Sequence, residues 1–235
     1  MRGRMMVMAA AFALAALAGC GGSTTGGEAE SGMRYLALGD SYTIGEGAGE
    51  ADRWPVQLAG LLRARGVEIG DPEIIARTGW TTDELSAAID REDPRGPYAL
   101  VSLLIGVNNQ YRGRGAEEYR TQFAALLQRA IGFAGGDAGK VIVLSIPDWG
   151  VTPFADGQDR ARIAAEIDLF NRINREETQR LGARYVDITP QSRAAATNPA
   201  SFAPDGLHYS GLTYAEWARL ALPSALAAPG AAAAP

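Results

Sequence analysis

Five short apolar runs, several rich in β-branched residues, punctuate the chain at 34–38, 73–76, 99–105, 141–146 and 184–188. They are continuous rather than alternating, the pattern of strands buried on both faces, and so predict a parallel sheet. Between them the periodicity becomes helical. Trp54, Leu58, Leu61 and Leu62 mark one stripe, and Ile163, Ile167, Phe170 and Leu181 mark another that ends at Gly182. Thr81 with Glu84, and Thr213 with Glu216, have capping-box spacing and are read as the starts of two further helices. This alternation predicts an α/β fold with helices on both faces of one five-stranded parallel sheet. Functional groups in such sheets gather at the carboxyl ends of the strands, so site residues should fall just after strands.

The two ends read differently. Arg2 and Arg4 precede an apolar run from Met5 to Leu17, followed by Leu17-Ala18-Gly19-Cys20, the layout of a cleaved export signal over residues 1–19. An uncleaved membrane helix is the alternative, but the run is shorter than the ~20 residues a bilayer span needs. Leu-Ala-Gly-Cys resembles the bacterial lipobox. The resemblance implies that Cys20 is lipidated, becomes the first residue of the mature protein, and anchors it to a membrane on the extracytoplasmic side. Cys20 is the single cysteine of the chain, so it has no disulfide partner. Gly21 in the next position implies, by the same resemblance, an outer-membrane destination in a double-membrane bacterium. Residues 20–32 are small and polar and read as a flexible tether, and 225–235 as an Ala/Pro tail. A single domain over 33–224 remains.

Charge narrows the function classes. The 22 basic residues against 27 acidic ones give a net charge of −5, and loss of Arg2 and Arg4 with the signal makes the balance more acidic still. No nucleic-acid partner is expected on that balance. One histidine, no second cysteine and no carboxylates clustered at ligand spacing argue against a catalytic zinc site.

Gly39-Asp40-Ser41 follows the first run directly, where a sharp turn would hold Ser41 at the sheet edge. Alone, such a tripeptide is as readily a turn or a helix N-cap. A serine hydroxyl needs a base before it is a nucleophile, and the only histidine is His208, in Asp205-Gly206-Leu207-His208 after the last run. A lone histidine is commonly structural. A tight turn through Gly206, however, can bring the Asp205 carboxylate to Nδ1 of His208, fixing its tautomer and leaving Nε2 for Ser41.

Gly39-Asp40-Ser41, Gly79, Gly106-Val107-Asn108-Asn109 and Asp205-Gly206-Leu207-His208 together resemble the four blocks of the SGNH (GDSL-like) hydrolases, in order and across essentially the whole domain. The resemblance implies a flavodoxin-like three-layer α/β/α sandwich and no cofactor. It further implies ester hydrolysis through an acyl-enzyme, with Ser41, His208 and Asp205 as the triad. Ser41 and Gly79 would give backbone N–H groups, and Asn108 its side-chain amide, to the oxyanion hole. Two positions depart from the family pattern: Asn109 stands where Asp is usual, and Tyr42 follows the nucleophile where Leu is common. Ile44, Tyr111, Trp149 and Phe154 are candidate pocket walls. The expected partner is a small-molecule, lipid or carbohydrate acyl ester, handled by a monomer. A tethered ligand-binding lipoprotein on the same fold and a transacylase using the same triad stay open as alternatives.

Overall fold

The computed structural model describes residues 32–228. The expected signal segment, Cys20, most of the tether and the last residues of the tail lie outside the described residues.

The five predicted strands form: β1 (Tyr35–Asp40), β2 (Glu73–Arg77), β3 (Leu100–Leu104), β4 (Val141–Leu144) and β5 (Arg184–Val186). They make one all-parallel sheet in the order β2-β1-β3-β4-β5, the flavodoxin-like order. The three central strands β1, β3 and β4 are buried along their whole length, whereas the edge strands β2 and β5 are only partly so. The continuous apolar runs of the central strands follow from helices lying on both faces.

Among the described residues eight α-helices accompany the sheet: α1 (Ser41–Ile44), α2 (Trp54–Arg63), α3 (Thr82–Glu92), α4 (Val107–Tyr111), α5 (Ala116–Phe133), α6 (Arg160–Arg180), α7 (Thr189–Ala194) and α8 (Gly211–Leu226). α2 and α8 pack together on one face, and α3, α5 and α6 line up on the other. In α2 the predicted stripe turns Trp54, Leu58 and Leu62 into the core, with Leu61 at its margin. Among the described residues no helix is long and apolar enough to cross a membrane.

The two capping-box predictions part company. At α3 the Glu84 carboxylate accepts a hydrogen bond from the Thr81 backbone N–H at 2.9 Å, as predicted. At α8 the N-cap is Ser210, three residues before the predicted cap, and the helix starts at Gly211. Thr213 is already inside the helix, and its hydroxyl is drawn sideways to the Ser201 carbonyl at 3.0 Å. The far end of α8 also differs from the sequence reading. The helix continues through Leu226, Ala225 and Ala228 are buried, and Arg184 donates to the Ala227 carbonyl at 2.7 Å. The small side chains of Ala225 and Ala228, taken for part of a tail, are thus packed into the core.

Candidate active site

β1 delivers its last residue directly into α1. Gly39 is required there by crowding, since a Cβ would stand 2.5 Å from the Leu104 carbonyl of the neighbouring strand. Asp40 caps α1 by accepting from the Tyr42 backbone N–H at 3.1 Å, and Ser41 is the first helical residue, 4% exposed. Asp40 itself is fully buried, and its Oδ2 has no partner among the described residues. Burial pushes its pKa up to about 7 against the smaller opposing effect of its backbone hydrogen bonds.

At the other end of the chain, Gly206 adopts φ +69° and folds the segment back on itself. The Asp205 Oδ1 atom accepts from the backbone N–H groups of Leu207 and His208, each at 2.9 Å, while Oδ2 meets His208 Nδ1 at 2.6 Å. Burial opposes ionisation of Asp205, but the His208 contact and the two backbone donors outweigh it and hold the carboxyl below its ordinary range. His208 is therefore gripped through both its ring and its backbone. Tyr42 braces the imidazole from the side, edge to face, with ring centroids 5.7 Å apart. That contact is what the departure from Leu supplies at this position.

Gly79 lies two residues beyond β2 with φ +87°, a conformation that a Cβ would strain. Its carbonyl accepts from Arg112 Nη2 at 2.6 Å, and the next carbonyl, of Trp80, accepts from Asn108 Nδ2 at 2.9 Å. One hydrogen of the Asn108 amide is thus fixed on Trp80, which identifies Nδ2 and leaves its second hydrogen for another acceptor. Asn108 is delivered by Gly106, at φ +129°, where a Cβ would collide with the Tyr119 ring.

Asn109 faces away from the cleft and is fully buried. It accepts from the Thr82 backbone N–H at 3.1 Å and donates to Thr82 Oγ1 at 2.7 Å, and the Thr82 hydroxyl donates onward to Gln122 Oε1. An amide can play both roles here, so the loop is held without a buried charge.

Ser41, Gly79, Asn108 and His208 all line one cleft of about 150 Å³, closed by Tyr42, Thr78, Val107, Tyr111, Trp149, Phe154 and Leu207. The structure thus brings together residues from the ends of β1, β2 and β3 and from the loop before α8. Three of the four predicted walls are present. The exception is Ile44, which lies at the last position of α1 and is absent from the lining. Sequence reasoning missed Arg112, Thr82 and Gln110, whose partners lie far along the chain and leave no local pattern.

A doubly wound parallel sheet with a cleft at its carboxyl edge is the arrangement of an α/β enzyme. Residues 37–216 match the GDSL-like Lipase/Acylhydrolase family, so the chain belongs to that family and is an ester-bond hydrolase. No curated protein matches the chain. Among solved structures, the acetylxylan esterase Axe2 from Geobacillus stearothermophilus is similar at 19% identity and a TM-score of 0.62, covering 83% of this chain and 94% of that one. The psychrotrophic esterase EstA from Pseudoalteromonas sp. is similar at 16% identity and 0.59, covering 81% and 95%. TesA is similar at 18% identity and 0.59, covering 81% and 97%. At these identities the likeness is one of fold.

Proposed function

We propose that the protein is a serine esterase acting on short-chain carboxylic esters, with Ser41, His208 and Asp205 as a catalytic triad. His208 Nε2 takes the proton of Ser41 as Oγ attacks the ester carbonyl carbon. The resulting imidazolium is stabilised by Asp205, and the oxyanion is received by the N–H groups of Ser41 and Gly79 and the free hydrogen of Asn108 Nδ2. Collapse breaks the bond to the alcohol oxygen, which leaves with the proton from His208. Water, deprotonated by the same imidazole, then attacks the acyl-enzyme, and Ser41 Oγ recovers the proton as the acid departs.

The observation that carries this reading is the 2.6 Å contact between His208 Nδ1 and Asp205 Oδ2, in a cleft that Ser41, Gly79 and Asn108 also line. The contact leaves Nε2 as the ring nitrogen available to a hydroxyl. A short acyl chain is favoured by the size of the cleft. Export and attachment to the envelope through a lipidated Cys20 form part of the same proposal.

The test is hydrolysis of p-nitrophenyl acetate, butyrate and decanoate by the wild type and by Ser41→Ala and His208→Ala. Each variant should lose at least about a thousandfold in kcat with folding intact. Turnover that survives in either variant rejects the assignment.

A further inference from the structure

An ester has two halves, and the cleft accounts for only one. Beside it opens a second hollow, a trough of about 560 Å³, and the two share the rings of Tyr111, Trp149 and Phe154. Trp149 is 6% exposed and locked in place, its Nε1 donating to Gln110 Oε1 at 2.7 Å while Gln110 Nε2 donates to Glu166 Oε2 at 2.7 Å. Tyr111 and Phe154 pack edge-on against it, with centroids at 5.3 and 6.2 Å. Both outer rings stand in water, 56% and 45% exposed, although each borders the reaction centre. Beyond the rings, Gln158, Asp159, Arg162 and Glu166 line the trough together with Gln110, Gly113 and Ile163.

We infer that this trough receives the alcohol half of the substrate, and that the alcohol is neutral and polyhydroxylated, a carbohydrate in chemical class. The inference rests on the acyl-transfer reading above. The lining carries both signs of charge. Arg162 and then Gln110 hold Glu166 below the usual carboxylate range, so it is an anion at neutral pH. A phosphate would meet the carboxylates of Asp159 and Glu166, and a quaternary ammonium would meet the Arg162 guanidinium. An alkyl chain would strip water from all three charges without replacing their hydrogen bonds. Hydroxyl groups donate and accept, so a polyol can satisfy carboxylate, guanidinium and amide alike. Aromatic faces at the junction suit the apolar C–H face of a pyranose ring. The apolar, smaller cleft then holds an acetyl or similarly short acyl group, and the ester bond crosses between the two hollows at the shared rings.

The experiment compares kcat/KM for mono-O-acetylated cellobiose, ethyl acetate and lysophosphatidylcholine, in the wild type and in Phe154→Ala and Arg162→Ala. The acetylated disaccharide should exceed ethyl acetate by about tenfold or more, and each variant should lower that ratio severalfold, chiefly through a higher KM for the disaccharide. A ratio near one, a ratio unmoved by both substitutions, or a higher kcat/KM for lysophosphatidylcholine overturns the inference while leaving the esterase intact. If neither ethyl acetate nor p-nitrophenyl acetate is turned over, the acyl-transfer reading itself fails, and the inference with it.

Discussion

Asn109 and Thr82 exchange two hydrogen bonds behind the cleft, one from the Thr82 backbone N–H at 3.1 Å and one from the Asn109 side-chain amide at 2.7 Å. They join α4, which carries Asn108, to the N-terminus of α3, which follows Gly79 and Trp80. The substitution of Asn for the family's usual Asp therefore leaves the loop fastened.

Asn109→Ala should cost about 1–3 kcal/mol of stability, because the buried Thr82 N–H loses its acceptor. It should also lower kcat by about tenfold through the slackened loop. Asn109→Asp, which keeps the acceptor for the Thr82 N–H and loses only the donor to Thr82 Oγ1, should cost less of each than alanine does. Urea denaturation beside steady-state kinetics on p-nitrophenyl acetate reads both effects, and an alanine variant as active and stable as the wild type would remove the loop from the argument.

Arg112 holds the Gly79 carbonyl with one guanidinium nitrogen and Glu84 with the other, at 2.6 and 3.1 Å. First the Thr81 N–H and then Arg112 hold the Glu84 carboxyl below its ordinary range. Arg112→Ala should lower kcat by about tenfold with little change in KM, since it loosens the Gly79 turn without touching the acyl group. The pair is partly exposed, so stability should change by less than about 1 kcal/mol. A loss seen only in KM would instead make Arg112 a substrate contact.

Asp40 predicts a pH effect on stability. Its folded pKa is about 7, above the 3.8 of a free carboxyl, so the folded protein keeps a proton that the unfolded chain has released. Stability contributed by this group is complete below the unfolded value and falls as pH rises toward the folded one. Asp40→Asn abolishes that titration. Relative to wild type, the variant should gain on the order of a few kcal/mol between about pH 4 and pH 7 and then level off. Denaturation curves across that range check it, and a constant difference between the two proteins contradicts it.

The proposed anchor predicts that Cys20→Ser moves the protein from the membrane to the soluble fraction and abolishes incorporation of labelled fatty acid. Labelling that persists in the variant would rule out Cys20 as the lipidated residue.

Much of the fold could be read from the sequence because the central strands need continuous apolar runs and tolerate no other pattern. β1 from Tyr35 to Asp40 is the clearest case, buried at every position. The capping signal at Thr81 succeeded because nothing upstream competed for the helix start. At Thr213 the same signal failed because Ser210 already stood in the capping position. Within the site, the blocks bearing Ser41, Asn108 and His208 are local patterns, ambiguous singly and legible only because they stand together in order. The Gln110 contacts to Trp149 and Glu166 span 39 and 56 positions and exist only once the sheet has formed.

The five residues of α4 leave little freedom for redesign. Within little more than one turn, Val107 and Asn108 line the cleft, Asn109 fastens α3, Gln110 fixes Trp149, and Tyr111 borders both hollows. A change of register there would disturb every one of these contacts together. Engineering the enzyme toward a new alcohol should therefore leave α4 alone and vary the opposite bank of the trough, at Gln158 and Arg162, where selectivity can be altered without passing through the groups that govern rate.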